Sequence, residues 1–364
     1  MAAADTGGRP PASICLLRLS ALGDCINIVP VVHTLRRRWP ETRLAWVTGT
    51  AEARLVGDLP GVDFHVVDKK AGGRGIRALK RELADRRFDV LLHMHASWRA
   101  NRVSRAVRAD LRLGFDAARS RDGQRWFVDR RIEPAHGRHV VDGYFAFLEA
   151  LGVYDRVLDW SVPIPAEAAA QAAEALPPGP PVLLISPCAS HPRRNWRAER
   201  YAAVADHAIG RHGMRVALVG GPSADERAMG DAILAHMRGE AIDLIGRSPL
   251  KCLIALMRRS ACLITPDSGP AHMANAARVP TIALHAATES ARSGPYTSLQ
   301  WCVDRYDDAA RRYFERPASD LAWGTKIERE GVMDLIRVAD VTERLDAVML
   351  KNVTTETQRH GGRV

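Results

Sequence analysis

The stretch ACLITPDSGPAH, residues 261–272, combines a short apolar run, a turn and the start of a helix. The run Ala261–Thr265 predicts a buried strand. After it, Gly269 permits close approach of the backbone to a ligand, and Pro270 suits the first turn of a helix. A simple capping turn does not require Asp, Gly, Pro and His together. This stretch therefore predicts a strand–turn–helix unit whose turn binds a ligand.

Strand-like runs alternate with helical patterns on both sides of this unit, which favours parallel sheets with helices on both faces. The other predicted strands are Ile14–Leu19, Leu44–Thr48, Phe88–His93, Val182–Ser186, Arg215–Val219, Ile242–Ile245 and Thr281–His285. The predicted helices include Asp24–Trp39, Ile76–Asp85, Tyr201–His212, Ala228–Met237 and Leu250–Arg258. The pattern stops at the proline-rich segment Pro163–Pro181 and then restarts. We therefore expect an α/β protein with two successive Rossmann-like units.

The length of 364 residues suits two domains. We expect the first domain at 1–165, the second at 166–335, a helix at 336–350 and a disordered tail at 351–364. Weak periodicity between Ala286 and Glu330 predicts a long loop region, in which Arg292 and Lys326 are candidates to contact a substrate.

The composition excludes several classes of protein. None of the six cysteines forms a Cys-x-x-Cys pair, so we expect reduced thiols and no structural zinc site. The first residues do not resemble a signal peptide, and no run of 18 uncharged apolar residues predicts a membrane span. We therefore expect a cytoplasmic protein.

Positive charge is concentrated in one segment. The formal net charge is +10, and residues 69–131 alone carry 18 Lys or Arg and 7 Asp or Glu. Such a segment attracts nucleic acid, an anionic membrane or a phosphorylated substrate, or is simply a solvated basic face. No nucleic-acid-binding motif accompanies it, so we expect no nucleic-acid partner. Arg99, Arg102 and Arg105 recur every three residues and predict a stripe along a helix. Trp98 and Trp126 lie nearby, either stacking on a ligand or packing in the core.

Two further turns follow predicted strands. Asp24 ends the turn Ser20–Asp24, where a carboxylate either stabilises the start of the helix or accepts a proton as a general base. Ser190 and Arg194 lie in the loop after Val182–Ser186, where a hydroxyl and a guanidinium fork either bind phosphate or form a capped basic loop. In the turn quoted first, Asp267 is a candidate to bind sugar hydroxyls. The helix start with Ser268, Gly269 and His272 is a candidate diphosphate site.

The segments Leu19–Asp24, Arg194–Trp196 and Pro266–His272 resemble, in content, order and spacing, those of the glycosyltransferase family 9 heptosyltransferases. The resemblance covers about residues 14–350. It implies a GT-B fold, in which two Rossmann-like domains face each other across a cleft. It also implies an inverting, metal-independent transfer without a cofactor, with Asp24 as the catalytic base. The implied donor-binding residues are Ser190, Arg194 (where many members carry Lys), Asp267, Ser268, Gly269 and His272.

The same resemblance implies ADP-heptose as the donor and an anionic, lipid-linked acceptor of the lipopolysaccharide inner core. It places Arg99, Arg102 and Arg105 on the acceptor domain. From the charge of the basic segment we expect the enzyme to lie at the cytoplasmic face of the inner membrane. No Asp-x-Asp pair suitable for a metal–diphosphate complex occurs, in agreement with a metal-independent reaction.

Three alternatives remain open. A donor-contacting Glu is not matched after Gly220-Gly221, which leaves a hexose or N-acetylhexosamine nucleotide as another donor. An NAD-dependent dehydrogenase is disfavoured because no Gly-x-Gly-x-x-Gly follows the first strand. A basic nucleic-acid-binding protein is the non-enzymatic alternative.

Overall fold

The computed structural model describes residues 10–361 of the chain, with side chains described for residues 10–351. The chain divides into two compact units between Pro163 and Ile164, two residues before the predicted end of the first domain. We refer to them as the N-terminal and C-terminal domains. Within residues 10–361, no helix is both long enough and apolar enough to cross a membrane.

The N-terminal domain is built on a parallel sheet. Its strands in the described residues are β1 (Ser13–Leu17), β2 (Arg43–Gly49), β3 (Val62–Val67), β4 (Phe88–Leu92), β5 (Ala109–Gly114) and β6 (Arg130–Arg131). They lie in the order β3-β2-β1-β4-β5-β6, which is the Rossmann order. Ile14 of β1 pairs with Leu44 of β2 and with Val90 of β4. Every residue of β1 is buried, as expected for a parallel strand covered on both faces.

Helices connect these strands. They are α1 (Leu22–Arg38), α2 (Thr50–Val56), α3 (Gly73–Glu82), α4 (Trp98–Ser104) and α5 (Val140–Glu149). The sequence of α1 agrees with its position, because an acidic residue in the first turn and three arginines in the last turn both complement the helix dipole. Its buried face includes Ile26, Val29 and Leu35.

The C-terminal domain repeats the architecture. Its strands among the described residues are β7 (Val182–Ile185), β8 (Arg215–Gly220), β9 (Ala241–Ile245), β10 (Cys262–Pro266), β11 (Thr281–His285) and β12 (Val303–Asp304). All are parallel, in the order β12-β11-β10-β7-β8-β9. The prediction of two successive Rossmann-like units is therefore confirmed.

The helices of the C-terminal domain cover both faces of its sheet. They are α6 (Ala166–Ala175), α7 (Ala198–His212), α8 (Ala224–His236), α9 (Leu250–Arg258), α10 (Gly269–Ala277), α11 (Ser290–Ser293), α12 (Tyr306–Phe314) and α13 (Val338–Gly361). Val341, Leu345 and Val348 of α13 are buried in the same core cluster as residues of α7. The last helix is thus part of the C-terminal domain.

Three features differ from the predictions. Strands β3 and β5 were not predicted, because their charged and half-exposed residues interrupt the apolar pattern. The region 286–330 is not one long loop: it contains α11, β12 and α12. The short apolar stripe of α12 (Tyr306, Ala309 and Ala310) is masked by charged neighbours in the sequence. Finally, α13 continues to Gly361, so residues 351–361 extend a helix where a disordered tail was predicted, and residues 362–364 lie outside the described part. No Pro or Gly interrupts that segment before Gly361.

Candidate active site

Each sheet contains one point at which the strand order reverses. It lies between β1 and β4 in the N-terminal domain and between β7 and β10 in the C-terminal domain. Open α/β sheets bind ligands beyond the carboxyl ends of the strands at such a point. Asp24 follows β1, whereas Arg194 follows β7 and Asp267 follows β10. The main predicted site residues therefore lie where the topology of each domain favours a ligand.

Asp24 lies in the first turn of α1, and its carboxylate is held by Arg18, Ala21 and Tyr144. Arg18 forms an ion pair with Oδ2, and the backbone N–H of Ala21 donates to Oδ2 at 3.2 Å. The hydroxyl of Tyr144 donates to Oδ1 at 2.8 Å. The Ala21 contact is the helix-start role that the sequence left open. Arg18 and Tyr144 also bind the carboxylate, from outside α1. The side chain of Asp24 keeps 30% of its surface exposed. Asp24 is thus both fixed in place and accessible.

Arg18 and Tyr144 are themselves buried. Burial disfavours the Arg18 cation, but the charge of Asp24 keeps the pKa of Arg18 above its usual value. Burial, together with the Asp24 charge, raises the pKa of Tyr144 well above its usual value. Tyr144 therefore stays a neutral phenol, which can donate to Asp24. The Arg18 guanidinium also donates to the carbonyl of Met94 at 2.8 Å, which ties the end of β1 to the end of β4.

His95 follows β4 at the same sheet edge. Its Nδ1 accepts a hydrogen bond from the backbone N–H of Leu19 at 3.1 Å. Burial, followed by the charge of Arg18, lowers the pKa of His95 to about 3, so the ring is neutral and carries its proton on Nε2. His95 therefore braces the turn that carries Asp24 and adds a neutral donor to this edge.

Lys69 also supports this turn. Its ammonium group donates to both carboxylate oxygens of the buried Glu52, at 2.9 and 2.8 Å, and to the carbonyl of Leu19 at 3.3 Å. Lys69 belongs to the basic segment of the sequence, but its charge is already paired in this domain.

We expect Tyr144→Phe to lower kcat by about tenfold, because a hydrogen bond to an ionised group contributes about 1.5–3 kcal/mol and only part of it concerns the orientation of Asp24. Ligand binding to the C-terminal domain is expected to stay unchanged. Steady-state kinetics with purified variants would test this, with Tyr154→Phe, an exposed tyrosine of the same domain, as the control. An unchanged kcat would mean that Tyr144 does not position Asp24.

The three arginines of the predicted stripe, Arg99, Arg102 and Arg105, are exposed. Arg99 and Arg102 on α4 line a cavity of about 430 Å³ together with Trp98, Lys69 and Gly72. Arg105 lies at the end of α4 over the ring of Phe127, with 4.8 Å between its guanidinium carbon and the ring centre. The structure thus brings Arg99 and Arg102 together at one cavity and directs Arg105 to an aromatic neighbour.

Trp98 and Trp126 are 57% and 68% exposed. The alternative that they are core residues is therefore wrong. Trp98 lies against Phe127 edge to face and lines the same cavity as Arg99 and Arg102. An exposed indole beside cations is suited to stacking on a sugar ring.

Arg194 lies between two carboxylates of the C-terminal domain. Its Nε and Nη2 donate to Oε1 of Glu328 at 2.8 and 2.6 Å, and its Nη1 lies 3.8 Å from Oδ2 of Asp267. Burial raises the pKa of Glu328, but the Arg194 hydrogen bond and charge hold it below its usual value. Ser190 lies exposed on the same loop.

Asp267 is almost completely buried at the end of β10. Burial by itself raises its pKa, but the charges of His285 and His272 hold it below the usual value, so the carboxylate is ionised. Ser293 donates to its Oδ2 at 3.3 Å. A buried, ionised carboxylate of this kind is suited to accept hydrogen bonds from ligand hydroxyl groups.

The start of α10 lies directly after Asp267. The side chain of Ser268 contacts Thr265, with 2.9 Å between the two hydroxyl oxygens, and does not cap the helix. Gly269 begins the helix, Pro270 is its second residue, and His272 is buried in its first turn. A helix start without a side-chain cap offers backbone N–H groups to an anion.

Two further cations contribute to the electrostatics of this region. Burial, followed by the charge of Arg194, lowers the pKa of Lys326, and the charge of Arg292 helps to keep the pKa of Asp267 low. The positive charges of Arg194, Arg292 and Lys326 outnumber the negative charges of Asp267 and Glu328, so this set of side chains has a net positive charge.

Sequence reasoning missed Arg18, Tyr144, His95 and Glu328 as site residues. Arg18 had a signal, since it is a charged residue directly after an otherwise apolar buried strand. Tyr144 had none: it lies in an apolar helix, 120 residues from Asp24. Glu328 lies in a region that the sequence pattern predicted only as loop.

Two Rossmann-like domains in succession, with reactive side chains at the reversal point of each sheet, form the architecture of the GT-B glycosyltransferases. Residues 76–321 match the model of glycosyltransferase family 9 (heptosyltransferase). The chain is 35% identical over 331 residues to the lipopolysaccharide core heptosyltransferase OpsX of Haemophilus influenzae, covering 91% of this chain and 95% of that protein. The chain therefore belongs to glycosyltransferase family 9 and is a glycosyltransferase.

Other relatives agree with this assignment. Lipopolysaccharide heptosyltransferase 3 of Escherichia coli K12 is 24% identical over 80% of this chain and 88% of its own length. The crystal structure of the family 9 glycosyl transferase from Veillonella parvula DSM 2008 matches with a TM-score of 0.77 and 25% identity, over 93% of this chain and 97% of that one. The structure of E. coli ADP-heptose heptosyltransferase II shares the fold, with a TM-score of 0.70 and 18% identity, over 93% of this chain and 99% of that one.

Proposed function

We propose that this glycosyltransferase moves heptose from ADP-heptose to a lipid-linked acceptor of the lipopolysaccharide inner core, with inversion at the anomeric carbon. The observation that carries the proposal is the Asp24 carboxylate, which is accessible and held by Arg18 and Tyr144 at the carboxyl edge of a Rossmann-like sheet. The heptosyltransferase activity named for the OpsX relative supports the choice of sugar.

In the proposed reaction, Asp24 accepts the proton of the acceptor hydroxyl as its oxygen attacks the anomeric carbon. The bond from that carbon to the diphosphate oxygen breaks at the same time, and ADP leaves with the bonding electron pair. One displacement of this kind inverts the anomeric centre. Arg18 and Tyr144 hold Asp24 in position, and neutral His95 offers an N–H to the acceptor side.

The donor is proposed to bind to the C-terminal domain. Arg194 and the backbone N–H groups at the start of α10 would hold the diphosphate, with Lys326 and Arg292 adding positive charge. Asp267 would accept hydrogen bonds from the sugar hydroxyls, His272 would donate to phosphate, and Ser190 would reach the donor from its exposed loop. These groups stabilise the charge that develops on the leaving diphosphate without requiring a metal ion.

The acceptor is proposed to bind to the N-terminal domain, at the cavity lined by Trp98, Arg99 and Arg102. Cationic side chains match the phosphate and carboxylate groups of an inner-core acceptor, and the exposed indole offers a surface for a sugar ring. Arg105 would contribute at the edge of this surface.

We expect Arg99→Gln/Arg102→Gln to raise the acceptor KM by about tenfold or more, because two charge-assisted contacts to the acceptor are lost. The donor Kd is expected to stay unchanged. Arg87→Gln is the matched control, since Arg87 is exposed in the same domain but precedes β4 at the opposite sheet edge. If the double variant weakened the donor instead, this cavity would not be the acceptor site.

The donor is tested by thermal-shift screening of the purified protein with ADP-, UDP- and GDP-sugars. A ligand that binds only the folded state raises Tm. We expect the largest shift with ADP-heptose and transfer of heptose to inner-core acceptor in a product assay. A larger shift with a UDP-hexose or UDP-N-acetylhexosamine would favour the alternative of a family 9 transferase with another donor.

We also propose that the enzyme works at the cytoplasmic face of the inner membrane as a peripheral protein. A second cavity of about 710 Å³, between α3 and the end of α4, is lined by Arg74, Arg77, Lys80, Arg81, Ala84 and Arg108. Five cationic side chains around one cavity are suited to anionic headgroups, each cation near the surface contributing about 1 kcal/mol.

We expect the purified protein to sediment together with vesicles that contain anionic phospholipid. It should not sediment with neutral vesicles. Arg77→Gln/Arg81→Gln should lower the bound fraction several-fold, and Arg37→Gln/Arg38→Gln, an equal loss of charge at the end of α1, should lower it much less. Equal losses in the two variants would show that this cavity has no special role in membrane binding.

A further inference from the structure

Two histidines and one aspartate converge on the outside of the C-terminal domain. His207 and His212 lie on α7, and Asp346 lies on α13. The Nε2 atoms of His207 and His212 are 2.7 and 2.6 Å from the same carboxylate oxygen, Oδ1 of Asp346. Within the described residues, this is a group of three possible metal ligands whose atoms all lie within 4.8 Å of one another.

The ligand set has the chemistry of a transition-metal site. Imidazole nitrogens and a carboxylate are ligands that bind Zn²⁺ at roughly 2.0–2.2 Å, and ligands at such distances are about 3.3 Å apart in a tetrahedral site. The present N–O distances of 2.7 and 2.6 Å are shorter than that value, and side-chain rotations that separate the three groups would open space for an ion. The three side chains are 27%, 17% and 36% exposed, so water can reach a fourth position.

The hydrogen-bonded arrangement does not oppose metal binding. An imidazole ring can carry its proton on Nδ1, and this tautomer leaves Nε2 free as a metal ligand. Arg211 also pairs with this carboxylate, with its Nε 3.4 Å from Oδ2 of Asp346. Its side chain is 65% exposed, so it weakens the site only modestly.

We propose that His207, His212 and Asp346 bind a divalent transition-metal ion of the Zn²⁺ type, which links α7 to α13. The site differs from the donor site in place as well as in residues. Helix α7 begins after the loop of Arg194 and ends at His212, three residues before β8 begins, so the cluster lies towards the amino ends of the strands. Its role is therefore structural, and it is independent of the proposed metal-free transfer reaction.

The chain position of these residues explains why sequence alone does not indicate the site. The two histidines are five residues apart, and Asp346 follows 134 residues after His212. The pair His207 and His212 has a spacing that occurs in zinc sites, but no Cys-x2–4-Cys pair accompanies it in the sequence. Only the packing of α13 on α7 brings the third ligand to the other two.

The test is Zn²⁺ binding to the full chain, free of any histidine tag, by competition with a chromophoric chelator and by thermal shift. We expect one equivalent of Zn²⁺ to bind with a micromolar Kd and to raise Tm. His207→Gln, His212→Gln and Asp346→Asn should each weaken binding at least tenfold and abolish the Tm shift. Gln keeps an N–H donor for Asp346, so these variants preserve the hydrogen bond while removing the ligand.

His236→Gln, an exposed histidine of α8, is the control and should bind Zn²⁺ like the wild type. Arg211→Gln should bind it two- to fivefold more tightly, because a repelling charge is removed. The proposal fails if the wild type binds no Zn²⁺ more tightly than about 100 µM. It also fails if His207→Gln and His212→Gln, shown to be folded by an unchanged Tm without metal, bind Zn²⁺ as well as the wild type does.

Discussion

Asp24→Asn is expected to lower kcat by about 10²–10⁴-fold, which is the loss typical of a missing general base. The amide has nearly the same shape as the carboxylate and keeps an oxygen that can accept from Tyr144. It cannot take up the acceptor proton at neutral pH. The Kd for the nucleotide-sugar should stay unchanged, since Asp24 lies in the N-terminal domain and the proposed donor residues lie in the C-terminal domain.

The measurement is single-turnover transfer of heptose at saturating donor and acceptor, together with calorimetric binding of ADP. Asp85→Asn removes an exposed carboxylate after α3 in the same domain and serves as the control. Because Arg18 would lose its ionic partner, folding should be compared by Tm. A folded Asp24→Asn enzyme with near-normal turnover would exclude Asp24 as the base.

Arg194→Ala is expected to weaken binding of ADP by roughly 10–100-fold, because charge-assisted contacts to the diphosphate are lost. The change has a second cost. Glu328 and Asp267 lie within 4.0 Å of the Arg194 guanidinium, and without it two carboxylates would face the diphosphate with less compensation. Isothermal titration of ADP into each variant measures the effect.

Two further variants serve as comparisons. Arg194→Lys keeps the positive charge, and Arg193→Ala removes the neighbouring arginine. Lysine keeps the charge but not the fork, so it should retain much of the affinity. Arg193 is an exposed neighbour with a single long hydrogen bond of 3.4 Å to the Glu328 carbonyl, and its loss should have little effect. Tight ADP binding by a folded Arg194→Ala variant would remove Arg194 from the donor site.

The predictable part of the fold lies in its buried strands. Val182–Ile185 and Thr281–His285 are uninterrupted apolar runs bounded by turn residues, and such runs are visible in the sequence. β3 and α12 were missed because each buries only one narrow face, so charged residues break the pattern. For these elements, packing against neighbours decides the structure more than the local sequence does.

The site residues also divide into those that the local sequence pattern indicates and those that only tertiary packing brings to the site. Asp24, Arg194 and Asp267 lie in the segments that follow β1, β7 and β10, so the rule for parallel sheets finds them from the sequence. Tyr144 and Glu328 reach these residues from 120 and 134 positions away. Their roles follow from tertiary packing, which cannot be seen in a single sequence without a structure.

With the acceptor bound as proposed, Lys69 limits how this enzyme could be redesigned for another acceptor. It lines the cavity shared with Arg99 and Arg102, yet its ammonium group also ties Glu52 to the carbonyl of Leu19, just before the turn that carries the proposed base Asp24. A substitution made there to suit a new saccharide would disturb the turn that carries Asp24, so selectivity and speed would change together. Arg99 and Arg102 have no such double attachment, and they are the better positions at which to select for new substrates.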